Sequence, residues 1–259
     1  MDLLIGTFVL RPYVFGFLAA FLAAGWLDLG IRRTLIFAAW VGPLAWLAEF
    51  SSTRIGIPFG LYHYTGTTRG QELFISNVPF MDCLSFTFLA YASFCLARVT
   101  LAGRRVPAPF MALCSGVLMM LLDVVIDPLA VRGDRWFLGR IFFYPDGGIY
   151  FGVPLANFAG WVVVGTLGVG GYPCWSGWRE SALGSGWALL GSRGSVGCRP
   201  WPGIALYYGV FSFNLAVTAW IGEWILVMVG VTVHLATALV LWSVSQRPAE
   251  GLGLEKQQA

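Results

Sequence analysis

Seven long apolar runs dominate this 259-residue chain, and they decide which solvent it folds in. An α-helix needs about twenty mainly apolar residues to cross the hydrocarbon core of a bilayer. Runs of that kind lie at Val14–Leu29, Leu35–Phe50, Leu73–Ala97, Pro107–Ala130, Ile149–Gly170, Trp201–Trp220 and Ile221–Trp242. Only 11% of the residues are charged, against roughly 25% in an ordinary soluble domain. A water-soluble fold of this length would need more polar surface than that. The expected fold is therefore all-α: one polytopic transmembrane bundle of about seven spans over residues 1–246, followed by a polar tail at 247–259.

The connections carry the remaining signals. Residues 51–72 hold Gly56, Pro58, Gly60 and Gly66, which break helices and set turns. A re-entrant or interfacial loop is expected there, after the second span. Residues 171–200 are rich in Gly, Ser and Trp without a period and read as a flexible linker. Leu3–Leu10 has no basic segment before it and is read as the beginning of the first span rather than a signal peptide. With seven spans, ten basic residues fall on one side and six on the other. That bias makes the first side cytoplasmic and puts the N-terminus outside.

Several function classes are disfavoured. The basic residues are scattered through loops rather than gathered in a stripe, so nucleic-acid binding has no support. Cys83, Cys95, Cys114, Cys174 and Cys198 form no CxxC pair and no His-spaced set, so neither a metal nor a Cys174–Cys198 bridge is expected. No internal repeat is visible, which argues against a transporter built from paired halves.

The polar residues fall in a pattern. Glu49 ends the second span and Asp82 lies near the beginning of the third. Asp123 and Asp127 are late in the fourth, Asn157 early in the fifth, Asn214 late in the sixth, and Glu223 opens the seventh. Because successive spans alternate in direction, all of these positions face one side of the membrane. The loop with Tyr62, His63 and Tyr64 is on that side too. Ionisable residues inside spans usually face the bundle interior and mark a functional site. Asp123 and Asp127 are spaced i, i+4 and share one helix face. Two carboxylates that close in an apolar setting cannot both ionise cheaply, which offers an acid and a base at the same pH. His234, alone in the last span, reads as a packed histidine, and Asp134 and Asp146 as a solvated loop face.

Three motifs resemble a known family. Glu49 followed by Gly56-Ile-Pro58-Phe59-Gly60-Leu-Tyr62-His63-Tyr64, then Asp127-Pro128, then Tyr150-Phe-Gly152-Val-Pro154-Leu-Ala-Asn157-Phe158-Ala-Gly160-Trp161, resemble signatures of the membrane carotenoid-biosynthesis proteins. That family includes carotenoid 1,2-hydratases of the γ-carotene and bisanhydrobacterioruberin type, from cyanobacteria and haloarchaea. The resemblance covers roughly residues 40–165 and does not extend to 171–200.

The resemblance implies a multi-pass protein of a bacterial or archaeal cytoplasmic membrane that hydrates the terminal C1–C2 double bond of an acyclic carotenoid, with no cofactor. An unactivated alkene must first be protonated, which requires a positioned acid. The tertiary cation that results is stabilised by aromatic faces, for which Phe59, Tyr62, Tyr64 and Trp161 are available, and His63 is expected beside them in binding the substrate. Asp127 or Asp82 is expected as the acid and Glu49 as the water-orienting base, with Asp123 paired to Asp127 and Asn157 holding the water. The implied partners are the carotenoid, membrane lipids, and other carotenoid enzymes or a photosynthetic complex. The alternatives are a pigment-binding subunit without catalysis and an end-group cyclase sharing the same cation.

Overall fold

The computed structural model describes residues 2–102, 104, 106–137, 139–175 and 200–246. A short helix, α1 (Leu3–Leu10), precedes α2 (Pro12–Leu29) and α3 (Ile31–Ile55). Two-residue strands follow: β1 (His63–Tyr64), β2 (Phe74–Ile75) and β3 (Val78–Pro79). Next come α4 (Phe80–Thr100), α5 (Ala108–Ala130), a 3₁₀ turn at Gly133–Arg135 and β4 (Phe142–Phe143). The described chain closes with α6 (Leu155–Trp175), α7 (Trp201–Trp220) and α8 (Trp224–Gln246). Among the described residues, α2 to α8 are the seven helices long and apolar enough to cross a membrane.

The spans match the seven apolar runs, with shifted ends. Leu73–Pro79 does not begin a span, because β2 and β3 pair there as a small antiparallel hairpin. Ile149–Pro154 likewise forms a turn closed by reciprocal Tyr150 and Val153 backbone bonds. The second span runs on to Ile55, where Gly56 ends it in the left-handed conformation with φ 75°. Residues 171–175 belong to α6 rather than to a loop. The rest of the expected 171–200 linker up to residue 199, the Cys174–Cys198 pairing and the 247–259 tail lie outside the described residues.

α4 is the central helix: sixteen of its twenty-one residues are buried. α5 and α6 pack closest, because Gly116 and Gly165 face each other. A Cβ added at Gly165 would lie 2.8 Å from the Gly116 Cα. Two ion pairs, one buried and one partly buried, join α4 to the α2 region. Asp28 receives Arg98 Nη1 at 2.7 Å and Nη2 at 3.1 Å, with the Tyr91 hydroxyl donating at 3.1 Å. Arg11, in the break between α1 and α2, gives Nη1 to Asp82 and Nη2 to Glu72, both at 2.8 Å.

Pro128 lies inside α5 and has no N–H for the carbonyl of Val124. The Tyr150 hydroxyl donates to that carbonyl at 3.2 Å instead. Arg132 then bonds the Pro128 and Phe151 carbonyls, which anchors the turn before α6 to the end of α5.

Candidate active site

The loop after α3 closes over the bundle because it is tied down at both ends. The Phe59 backbone N–H donates to Ser52 Oγ at 3.0 Å, and β1 pairs antiparallel with β4, His63 opposite Phe143 and Tyr64 opposite Phe142. Gly160 of α6 makes room for the turn. A Cβ there would lie 2.5 Å from the Phe59 ring and 2.8 Å from the Pro58 carbonyl oxygen. Phe59 and Tyr62 are consequently buried beneath the loop.

Below this roof is a cavity with about 940 Å³ of space free of protein atoms, counting its mouth. Glu49, Asp82, Asp127 and Asn157 line it, with Phe59, Tyr62, Tyr64 and Trp161. Four spans therefore supply one polar residue each, all at the same end of the bundle. The Tyr64 hydroxyl donates to Glu49 Oε2 at 2.7 Å, and the Cys83 thiol approaches the same oxygen at 3.8 Å. Burial, and then the nearby Glu49 carboxylate, pushes the Tyr62 and Tyr64 hydroxyls well above the usual phenol range. Burial acts first on Tyr144 in the same direction. All three phenols therefore keep their protons, and Tyr64 donates its own to Glu49.

Asp123 is fully buried and is not part of the lining. Its Oδ2 accepts from Asn157 Nδ2 at 2.6 Å, and its Oδ1 from the Asp127 backbone N–H at 3.3 Å. It thus fixes both Asn157 and the turn that carries Asp127. Trp161 Nε1 donates to Asp127 Oδ2 at 3.4 Å. The Trp161 ring stacks on Phe86, centroids 4.5 Å apart, with Phe59 tilted 6.2 Å from it. Among the described residues, no arginine or histidine is ion-paired with Asp127 or Glu49, whereas Asp82 is held by Arg11.

His63 is the expected site residue that the fold turns away. It is exposed on β1, with its ring against Phe143, and does not line the cavity. Glu223 is likewise elsewhere, paired with Arg132 and Arg135 near the surface. Asn214 does reach the cavity. Arg11 and Glu72 were not legible as site residues, because each lies in a connection and their partners are distant in sequence. Phe86 was hidden among the other apolar residues of its span.

Comparison with known proteins agrees with the architecture. The bisanhydrobacterioruberin hydratase of Haloarcula japonica is 30% identical over 167 residues, covering 64% of this chain and 51% of the relative. The chain thus spans about half the length of that curated relative. No solved structure matches it. The profile of the carotenoid biosynthesis proteins matches residues 4–237, nearly all of the region that holds the seven spans. The chain is a multi-pass integral membrane protein and belongs to the carotenoid biosynthesis protein family.

Proposed function

We propose that the protein adds water across the terminal C1–C2 double bond of an acyclic carotenoid end group. One observation carries this reading: Glu49, Asp82, Asp127 and Asn157 converge on a single aromatic-lined cavity within the membrane bundle. An isoprenoid end group suits the rings, and the carboxylates suit proton transfer in both directions.

Asp127 is assigned as the acid. It lines the cavity, has no cationic partner among the described residues, and sits beside the Trp161–Phe86 stack. It gives its proton to C2, and the π-electrons of the double bond form the new C–H bond. The positive charge that develops on tertiary C1 is met by the faces of Trp161 and Phe86. Water held by Asn157 attacks C1, and Glu49 takes the proton that water releases. The product is a tertiary alcohol, and proton exchange returns Asp127 and Glu49 to their starting states. Asp82, paired with Arg11, serves better as a fixed negative charge that steadies the cation than as an acid. The similar hydratase from Haloarcula japonica supports the reaction type.

The test is expression in cells that accumulate lycopene, followed by chromatography and mass spectrometry of the pigments. A product heavier by one water is expected. An isomer of unchanged mass would make the protein a cyclase, and unaltered pigment despite membrane expression would leave it a binding subunit.

A further inference from the structure

Six aromatic rings run in an unbroken series along one side of the cavity. Trp136 meets Phe137 at 4.9 Å between centroids, and Phe137 meets Tyr13 at 5.8 Å. Tyr13 stacks on Phe213 at 5.1 Å and 18°, Phe213 meets Phe17 edge-on at 5.6 Å, and Phe17 lies 5.7 Å from Phe88. Tyr13, Phe17, Phe88 and Trp136 line the cavity. Tyr13, Phe17 and Phe213 are each only half-buried; Phe213 does not line the cavity and packs against the other two. There the wall is made of rings, Tyr13 and Phe17 facing the cavity and Phe213 behind them.

The cavity also has an apolar arm. Beyond the carboxylates it follows Val14 in the first turn of α2, then Phe17 a turn further, Phe88 and Leu89 of α4 more than a turn past Asp82, and Val210 of α7 a turn before Asn214. Two other directions are closed. The loop over Phe59 and Tyr62 closes the end, and Gly116 and Gly165 hold the α5 and α6 backbones in contact.

We propose that this ring wall is a lateral gate between α2 and α7, through which a stiff apolar polyene passes from the bilayer with its end group leading. The inference rests on the carotenoid reading above. A conjugated chain cannot coil up inside the cavity, so its remainder must lie in the arm and protrude between the helices into lipid. Stacked and edge-on rings hold the wall closed through individually weak contacts. They can part and re-form around a flat polyene.

The test bridges the gate. The full chain carrying Tyr13→Cys and Phe213→Cys is reconstituted in liposomes and treated with a short bis-thiosulfonate reagent, with treated wild type controlling for the native cysteines. Lycopene supplied from donor liposomes is followed by quenching of tryptophan fluorescence and by product formation. The bridged protein is expected to take up pigment about tenfold or more slowly than the unbridged form, as for other gated sites, and reduction restores it. Equal uptake by both forms overturns the gate and leaves the hydratase reading standing. If wild type neither binds nor converts lycopene, the functional reading fails and the gate with it. Should the double variant not fold, Phe213→Ala decides. A gate predicts faster uptake with the same pigment bound at equilibrium. An unaltered rate, or a change in the bound amount alone, makes Phe213 a packing residue and overturns the proposal.

Discussion

The Tyr64 hydroxyl donates to Glu49 across 2.7 Å, joining the loop that roofs the cavity to the helix that carries the proposed base. Glu49 is buried and Tyr64 half-buried, so the bond does two jobs: it satisfies Glu49 and it fixes the direction of that carboxylate. Tyr64→Phe removes the donor and keeps the ring. Leaving a buried acceptor unsatisfied costs about 1–3 kcal/mol. The expected result is a lower turnover number with little change in the apparent affinity for carotenoid, read from product formation at several substrate loadings. A change in affinity alone would place Tyr64 in binding rather than in orienting Glu49.

Asp127→Asn keeps the shape of the side chain and removes its acid. Loss of a positioned acid lowers rates by about 10²–10⁴-fold, so hydrated product should nearly disappear while pigment still co-purifies. Asp123→Asn is expected to be milder. Asp123 acts through Asn157 and the Asp127 turn and does not itself line the cavity. Side-by-side pigment analysis of the two variants checks the order.

Arg11, itself buried, pairs with the buried Glu72 and with Asp82, which is partly exposed to the cavity. Arg11→Met strands the buried Glu72 carboxylate and takes the partner from Asp82, and breaking a buried pair costs about 3–5 kcal/mol. The detergent-solubilised variant should melt well below wild type. Replacing Glu72 by Met and Asp82 by Asn in the same chain should recover much of that loss, since an uncharged cluster has nothing left to desolvate. Thermal unfolding of the single and triple variants tests this.

Gly160→Ala puts a methyl group 2.5 Å from the Phe59 ring and against the Pro58 backbone. The backbone cannot swing aside as a flexible side chain would, so the loop has to lift off α6. Overpacking of this kind costs about 1–3 kcal/mol. The expected outcome is faster proteolysis near residues 57–62 and loss of hydration, both measurable on purified membranes.

The spans were legible because an apolar run long enough to cross lipid has few other uses. The convergence of Glu49, Asp82, Asp127 and Asn157 was legible for a related reason: alternation of direction brings one end of each odd span beside the other end of each even one. Span ends were less so. Leu73–Pro79 is apolar enough to pass for helix, yet pairing of Phe74 and Ile75 with Pro79 and Val78 claims it. His63 shares its motif with Tyr62 and Tyr64, but successive strand residues point to opposite faces, and Tyr64 is the one whose hydroxyl reaches Glu49. The Arg11–Asp82 and Asp28–Arg98 contacts span about seventy positions of chain, and no local pattern announces them.

Those two pairs have a consequence for how the bundle is measured out. Seventeen positions separate Arg11 from Asp28 and sixteen separate Asp82 from Arg98, close to 25 Å along either helix. α2 and α4 run in the same direction, basic then acidic on one, acidic then basic on the other. A slip by one helical turn, about 5.4 Å, would separate both pairs at once and leave four charges stranded. The pairs therefore work as a ruler with a mark at each end. They set the height of α2 against α4, and with it the depth in the bilayer at which Asp82 and the rings beside it meet an incoming molecule.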